Sequence, residues 1–178
     1  MQYPGQRVQI DVKFVPQTCI VGQEDGTKRC QYTFLEEYSR FRYLEAFEEN
    51  STYSSTQFLK HFVEKFLYAI ECVQTDNGFE FTNRMGNSSN KPLTLFERTL
   101  AEFRIRHKKI RPFTPRHNDK VEHSHRKDNE YFYAGHKFYS FEDFAKQLAV
   151  HQRKYNHLPM RPLGWLSPKQ VLFAFSNL

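Results

Sequence analysis

From about residue 55 to residue 75 the chain reads as an amphipathic helix running directly into a short apolar strand, and few folds accommodate that order. Phe58, Leu59, Phe62, Val63, Phe66 and Leu67 recur at helical spacing, and Ser54 with Gln57 resembles a capping box. The spacing therefore predicts a helix over 55–67 whose apolar stripe faces a core. Ile70 to Thr75 predicts a strand, and a strand reached through a crossover helix pairs in parallel with an earlier one. The earlier partner is Arg7 to Phe14, where Val8, Ile10, Val12 and Phe14 alternate with Gln9, Asp11 and Lys13. Two further strands are predicted, at Cys30 to Leu35 after an Asp25-Gly26 turn and at Phe41 to Phe47 after a Tyr38-Ser39-Arg40 turn. Three antiparallel strands followed by parallel pairing make a mixed α/β sheet.

The rest of the chain supplies its flanking layers. A polar loop, Asn83 to Lys91, precedes a helix over 93–103 and a brief basic strand around Ile105 to Lys109. Arg111 to Asn118 holds Pro112 and Pro115 and is expected to be irregular. Helices are predicted over 119–133, over 141–155 with Ser140 and Asp143 as its cap and Phe141, Phe144 and Leu148 as its buried stripe, and from Pro168, a favourable first-turn proline. No internal repeat or second domain is evident, so residues 1–178 are expected to form one domain.

Charge is concentrated in one place. The formal net charge is +6, and the segment from Arg104 to Lys127 alone carries +7, nine Lys and Arg residues against Asp119 and Glu122. A basic run of this kind suits a polyanionic partner, and it leads directly into a candidate acid. Three cysteines without a framework spacing fit a reducing compartment. An Asp25-Gly26 hairpin would set Cys19 opposite Tyr32 and Cys30 opposite Val21, with the thiols roughly 7 Å or more apart, which is poor for a disulfide. No apolar stretch approaches a membrane span and no signal peptide precedes the first strand, so a soluble cytoplasmic protein is expected.

Three acids fall on three separate elements: Asp11 late in the first strand, Asp76 at the end of the Ile70 to Thr75 strand before a tight Asn77-Gly78 turn, and Glu122 early in a helix. Ligands of open α/β sheets bind at the carboxyl ends of strands, where Asp76 stands. Phosphodiesters repel nucleophiles, and the usual remedy is two divalent ions about 3.5 to 4 Å apart, held by hard carboxylate oxygens. Asp11, Asp76 and Glu122 would supply such a set for Mg²⁺ or Mn²⁺. On the last helix, Asn118, Glu122 and Arg126 recur every four residues, with Asn129 next along the face, so one face could bind metal and contact DNA phosphate. His117, His123 and His125 lack a nearby cysteine and a fourth ligand, and are read as DNA-facing or solvated instead of a zinc site.

With QIDVKF around Asp11, EEYSRFRYLEAF from Glu36, QTDNGFEFTN around Asp76, IRPFTPRHNDKVEHSHR around Glu122 and YNHLPMRPLGWLSPKQVL from Tyr155, the chain resembles the catalytic cores of the integrase and insertion-sequence transposase superfamily. The resemblance covers nearly the whole chain and is closest to bacterial insertion-sequence enzymes. It implies a ribonuclease H-like fold with a five-stranded mixed sheet, and an Asp11, Asp76, Glu122 triad holding Mg²⁺ or Mn²⁺, as two ions once DNA is bound. The implied activity is hydrolytic cleavage at transposon ends to free a 3′-hydroxyl, followed by attack of that hydroxyl on target DNA. Arg116, Lys120 and Arg126 are the implied phosphate contacts, and Asn118 orders the loop or touches DNA. Related enzymes work as multimers on paired ends, so a homo-oligomer associated with a bacterial nucleoid is expected. They usually carry DNA-binding helices ahead of the core; the first strand here begins near residue 7, so poor recognition of specific ends is expected.

Two positions depart from the family pattern: Asp119 stands where glycine is common before Lys-Val-Glu, and His123 where arginine often follows the glutamate. Aspartate tolerates positive φ less readily and adds negative charge near phosphate, which implies reduced activity. The 45 residues between Asp76 and Glu122 exceed the usual interval, with the excess expected in the Asn83 to Lys91 loop. The competing readings are a ribonuclease H-like nuclease that cuts without joining, and a weakened DNA-binding or assembly module derived from a transposase.

Overall fold

The computed structural model describes residues 1–21, 28–83, 92–110 and 119–176. Its centre is a five-stranded sheet of β1 (Val8–Phe14), β2 (Cys30–Glu36), β3 (Arg42–Phe47), β4 (Cys72–Thr75) and β5 (Arg106–Lys109), in the order β3-β2-β1-β4-β5. The β1–β2 and β2–β3 pairs are antiparallel, and β1–β4 and β4–β5 are parallel. This is the mixed ribonuclease H-like arrangement expected from the sequence. The helices are α1 (Thr52–Lys65), α2 (Leu95–Glu102), α3 (Asp119–Asp128), α4 (Phe141–His157) and α5 (Pro168–Ser176).

Strand alternation divides the sheet into two unlike faces. Val8, Ile10, Tyr32, Phe34 and Val73 pack in one apolar cluster with Phe58, Leu59 and Phe62 of α1 and Phe96 and Leu100 of α2. Phe34 stacks on Phe62 and Tyr43 on Phe58, so aromatic pairs fill this layer. The opposite face carries Gln9, Gln31, Thr33 and Arg42, and all four are buried. Burying such groups is tolerable only where each finds partners. α3 and α4 cover this face and supply them: Val121 N donates to Gln9 Oε1 at 3.1 Å, and Asn156 brackets Arg42 by accepting from its N at 2.9 Å and donating to its O at 2.7 Å. Gln152 Oε1 likewise accepts from Leu44 N at 2.5 Å.

A fully buried ion pair ties these layers together. Arg42 Nη1 and Nη2 meet Asp128 Oδ1 and Oδ2 at 3.0 and 2.5 Å, and Gln31 Nε2 and His151 Nε2 approach the same carboxylate at 2.8 Å each. Burial pushes the Asp128 carboxyl up, but the His151 contact and the Arg42 charge outweigh it and hold the group well below the usual carboxylate range. Immediately after Asp128 the helix widens into a π-helical turn, Asn129–Tyr133. That extra width lets Asp128, Phe132 and Tyr133 all point inward, where the aromatics join a second core with Val15, Cys19, Leu44, Phe138, Phe144 and Leu148. The sequence had suggested an uninterrupted α-helix over 119–133.

Three other local expectations are corrected. The β1–β2 register sets Val12 opposite Tyr32 and Phe14 opposite Cys30, not Cys19 opposite Tyr32. Pro16 has no amide hydrogen to continue a ladder, so β1 stops at Phe14 and the chain enters a short 3₁₀ turn at Gln17–Cys19. Cys19, Cys30 and Cys72 are free and buried, and the Asp25-Gly26 turn lies outside the described residues. Helix α1 begins earlier than expected, because Ser51 Oγ and not Ser54 accepts the capping bond, from Ser54 N at 3.1 Å. Finally Leu67, expected in the stripe, lies past the last turn of α1 and is exposed.

Candidate active site

Because β4 pairs in parallel beside β1, with Gln74 opposite Gln9, the residues that follow each pair up the sheet arrive at the same end. Asp11 is the second residue beyond Gln9 on β1, and Asp76 follows the last residue of β4. The Asp76 loop is shaped by its own side chains. Gly78 N donates to Asp76 Oδ1 at 2.9 Å, and Asn77 Nδ2 donates to Ile110 O at 2.7 Å, fastening the turn to the end of β5. A Cβ on Gly78 would stand 2.5 Å from the Glu80 carboxyl group, so glycine is what lets Glu80 fold back over the turn.

Asp11 is the most perturbed acid of this region. Its carboxyl is raised to about 8, first by burial and then by the charges of Asp76, Glu122 and Glu80, against a stabilising bond from Val12 N. The charges of Asp76 on the β4 loop and of Glu122 on α3 are thus felt at Asp11 on β1. Glu80 belongs to it as well and was not anticipated. Its position four residues past Asp76, across an Asn-Gly turn, was the available signal. Among the described residues, however, no group of three or more His, Cys, Asp or Glu side chains is drawn together closely enough to hold a metal ion. Asp76 and Glu122 remain exposed at the lip while Asp11 is mostly covered.

In chemistry, though not in spacing, the acids suit a hard divalent cation, since Asp11, Asp76, Glu80 and Glu122 all offer oxygen.

His125 is neither solvated nor at an outer surface, contrary to expectation. Its Nδ1 lies 3.4 Å from Asp11 Oδ2 and its Nε2 lies 2.9 Å from Thr33 Oγ1. Burial, reinforced by the Arg42 charge, lowers the imidazole to about 3, so it is neutral. Thr33 in turn accepts from Gln31 Nε2 at 3.0 Å, and Gln31 reaches Asp128. A chain of polar contacts thus runs from Asp11 to the buried Arg42–Asp128 pair. Lys13, which follows Asp11 by two residues, is turned to the same helix: its Nζ donates to His125 O at 3.3 Å and to Asn129 Oδ1, and sits 4.4 Å from the centre of the Tyr133 ring.

The expected phosphate contacts fare unequally. Lys120 Nζ donates to Glu37 Oε2 at 2.7 Å, a carboxylate that also accepts from Arg7 Nε at 2.5 Å, so much of its charge is already answered. Arg126 is exposed, and its Nη2 donates to His123 Nδ1 at 2.6 Å. Arg116, Asn118 and His117 lie outside the described residues, as do residues 84–91 of the polar loop. Beside α3 opens a cavity of about 690 Å³, walled also by the β2–β3 turn and by the chain that follows α4. Among the described residues no helix is long and apolar enough to cross a membrane.

Comparison with known proteins agrees with this architecture. A chain of the simian T-cell lymphotropic virus intasome, solved in complex with PP2A regulatory subunit B56 gamma, superposes with a TM-score of 0.71 at 16% identity. The match covers 94% of the present chain and 54% of that one, so the present chain spans about half of its length. The catalytic core domain of BIV integrase superposes with a TM-score of 0.67 at 16% identity, covering 97% of both chains. No curated protein matches the chain. The sequence model of the integrase core domain matches residues 2–115, which take in β1 to β5 with Asp11 and Asp76, and the chain belongs to the integrase core domain family.

Proposed function

We propose that residues 1–178 are the catalytic core of a DNA transposase or integrase that cuts the ends of a mobile element and joins them to target DNA. One observation carries the reading: in an integrase-type fold, parallel pairing of β1 and β4 brings Asp11, mostly covered on the central strand, and Asp76 to the same end of the sheet, where the charges of Asp76 and Glu122 act on Asp11. Asp11, Asp76 and Glu122 would hold Mg²⁺ or Mn²⁺, two ions with DNA in place. The chemistry such ions supply is activation of the attacking oxygen and charge neutralisation on the leaving one.

The protein's own contribution is placement. Val12 N and the neutral imidazole of His125 orient the Asp11 carboxyl group, and the Arg42–Asp128 pair anchors the helix that presents Glu122. Water or a DNA 3′-hydroxyl gives up its proton to solvent and attacks the scissile phosphorus in line, and the departing 3′-oxygen takes the electron pair of the broken P–O bond and a proton from solvent. Basic groups along 104–127 hold the strand through its phosphates, a contact that weakens with salt and carries little sequence information. Bacterial insertion-sequence origin, work on paired ends and assembly as a homo-oligomer belong to the same proposal.

The test is a labelled DNA end incubated with Mn²⁺ or Mg²⁺ and a target duplex. Nicked and joined products that vanish in Asp76→Asn are expected. Nicking without joining would favour a nuclease. A second reading, a weakened assembly module, is favoured by the engagement of Lys120 with Glu37 and by Asp119 at the start of α3. Metal-dependent nicking abolished by Asp76→Asn rejects it.

A further inference from the structure

The cavity beside α3 lies on the side of that helix away from Asp11. Three guanidinium groups from three separate elements line it: Arg40 from the β2–β3 turn, Arg126 from α3 and Arg161 from a 3₁₀ turn after α4. None of them forms a salt bridge among the described residues. Among the described residues, Arg126 is held by a neutral-capable partner, His123, and Asp119 is the one acid on the wall. Lys120 and Lys127 also reach the wall but are paired with Glu37 and Glu130, and beside Ser124 the apolar part comes from Leu35, Tyr155, Met160 and Pro162.

The presentation of Arg40 is built into the turn. Its φ is +64°, a left-handed conformation unusual for a long side chain. The fully buried Glu36 enforces it, accepting from Tyr38 N at 3.0 Å, Ser39 N at 2.7 Å and Ser39 Oγ at 2.6 Å. A rigid turn of this kind presents Arg40 from a fixed point beside the cavity.

Guanidinium groups recognise phosphate oxygens in pairs, and an apolar wall beside them suits the face of a base. A paired duplex offers a convex, hydrated backbone with its bases stacked inside and cannot place a base in a concavity of about 690 Å³. An unstacked strand can. We propose that this cavity holds a short unpaired segment of a DNA strand, its phosphates on Arg40, Arg126 and Arg161 and a base against Met160 and Pro162. The inference rests on the DNA chemistry proposed above and names the form of substrate: an end that is single-stranded or frayed, led over α3 towards Glu122.

The experiment measures binding of the intact chain, without divalent ions, to one fluorescent oligonucleotide sequence as a single strand and as a blunt duplex. Anisotropy titrations of wild type, Arg161→Glu and Arg40→Gly are compared; glycine suits the left-handed turn, so that variant keeps the backbone. The expected result is single-strand binding weakened about tenfold in each variant, with blunt-duplex binding changed by less than about twofold and the salt slope for the single strand reduced by roughly 0.7 per lost phosphate contact. Equal losses for both forms, or no loss, or no single-strand binding by wild type, would overturn the proposal. A strand carrying 5-iodouracil should photocrosslink to the peptide containing Tyr155 and Met160, and adducts confined to other peptides count against it. Because binding is read without metal, absence of nicking or joining bears on the proposed function alone.

Discussion

Replacing Asp128 by Asn tests the idea that one buried ion pair holds α3 to the sheet. The substitution keeps size and shape but removes the charge that accepts from Arg42 Nη1 and Nη2, Gln31 Nε2 and His151. Arg42 is wholly buried, so its cation is left in a low-dielectric interior without a counter-ion, and the new amide group points its own hydrogens at donors. Breaking a buried pair from one side costs about 3–5 kcal/mol. Against a total stability of about 5–15 kcal/mol that is a large share. For a chain of this size it corresponds to a fall in melting temperature of roughly 6–20 °C. The assay is urea denaturation of Asp128→Asn, Arg42→Met and the double variant. If the pair is as described, the double variant is destabilised by at least about 2 kcal/mol less than the sum of the singles. A loss under about 1 kcal/mol for Asp128→Asn, or simple additivity, would refute the reasoning.

Other outcomes follow from neighbouring features. Glu37 is pulled down to about 2 because bonds from Arg7 and Lys120 and their charges outweigh its burial. A depressed carboxylate stabilises the fold fully above its unfolded value near 4.5 and loses that contribution as pH falls towards 2, so Glu37→Gln should flatten acid unfolding in that window by up to about 3 kcal/mol. Asp11→Asn removes a buried acid crowded by Asp76, Glu122 and Glu80 and should raise the melting temperature by a few degrees without metal, about 2–4 °C per kcal/mol, while abolishing metal-dependent nicking and any stabilisation by Mn²⁺. An unchanged melt would show that the crowding is not felt. Gly5 has φ +85° and a Cβ there would stand 2.0 Å from Ala69 O, so Gly5→Ala should cost more than about 2 kcal/mol in chemical denaturation, whereas wild-type stability would exclude the close approach of the two segments.

The parts of the structure legible in the sequence are those set by short-range pattern. Alternation in β1, the helical stripe of α1 and the crossover into β4 sufficed to give the parallel β1–β4 pair, and with it Asp76 at the carboxyl end of a strand beside Asp11. What could not be read depends on chain that arrives about 90 residues later. Gln31, Thr33 and Arg42 occupy alternate positions that look solvent-facing, and they are buried only because α3 and α4 fold over them. That His125 is largely covered and not solvated has the same origin: which face of α3 meets β1 is decided by the docking of Val121 on Gln9. The β1–β2 register differs from the one an Asp25-Gly26 turn implies because Pro16 ends the ladder before Cys19 can join it. The helix cap failed because Ser51 and Ser54 are both good capping residues and only the backbone entry angle chooses between them.

The side chains that satisfy β3 also bear on how copies of this chain can associate. With Gln152 and Asn156 occupying the outward amides of Leu44 and Arg42, the first half of the β3 border is closed to an incoming strand. The opposite border, β5, is the four-residue run Arg-His-Lys-Lys, whose like charges repel a second copy laid against it. Capped amides on one border and a basic run on the other thus both disfavour lengthening of the sheet by a strand from a second copy.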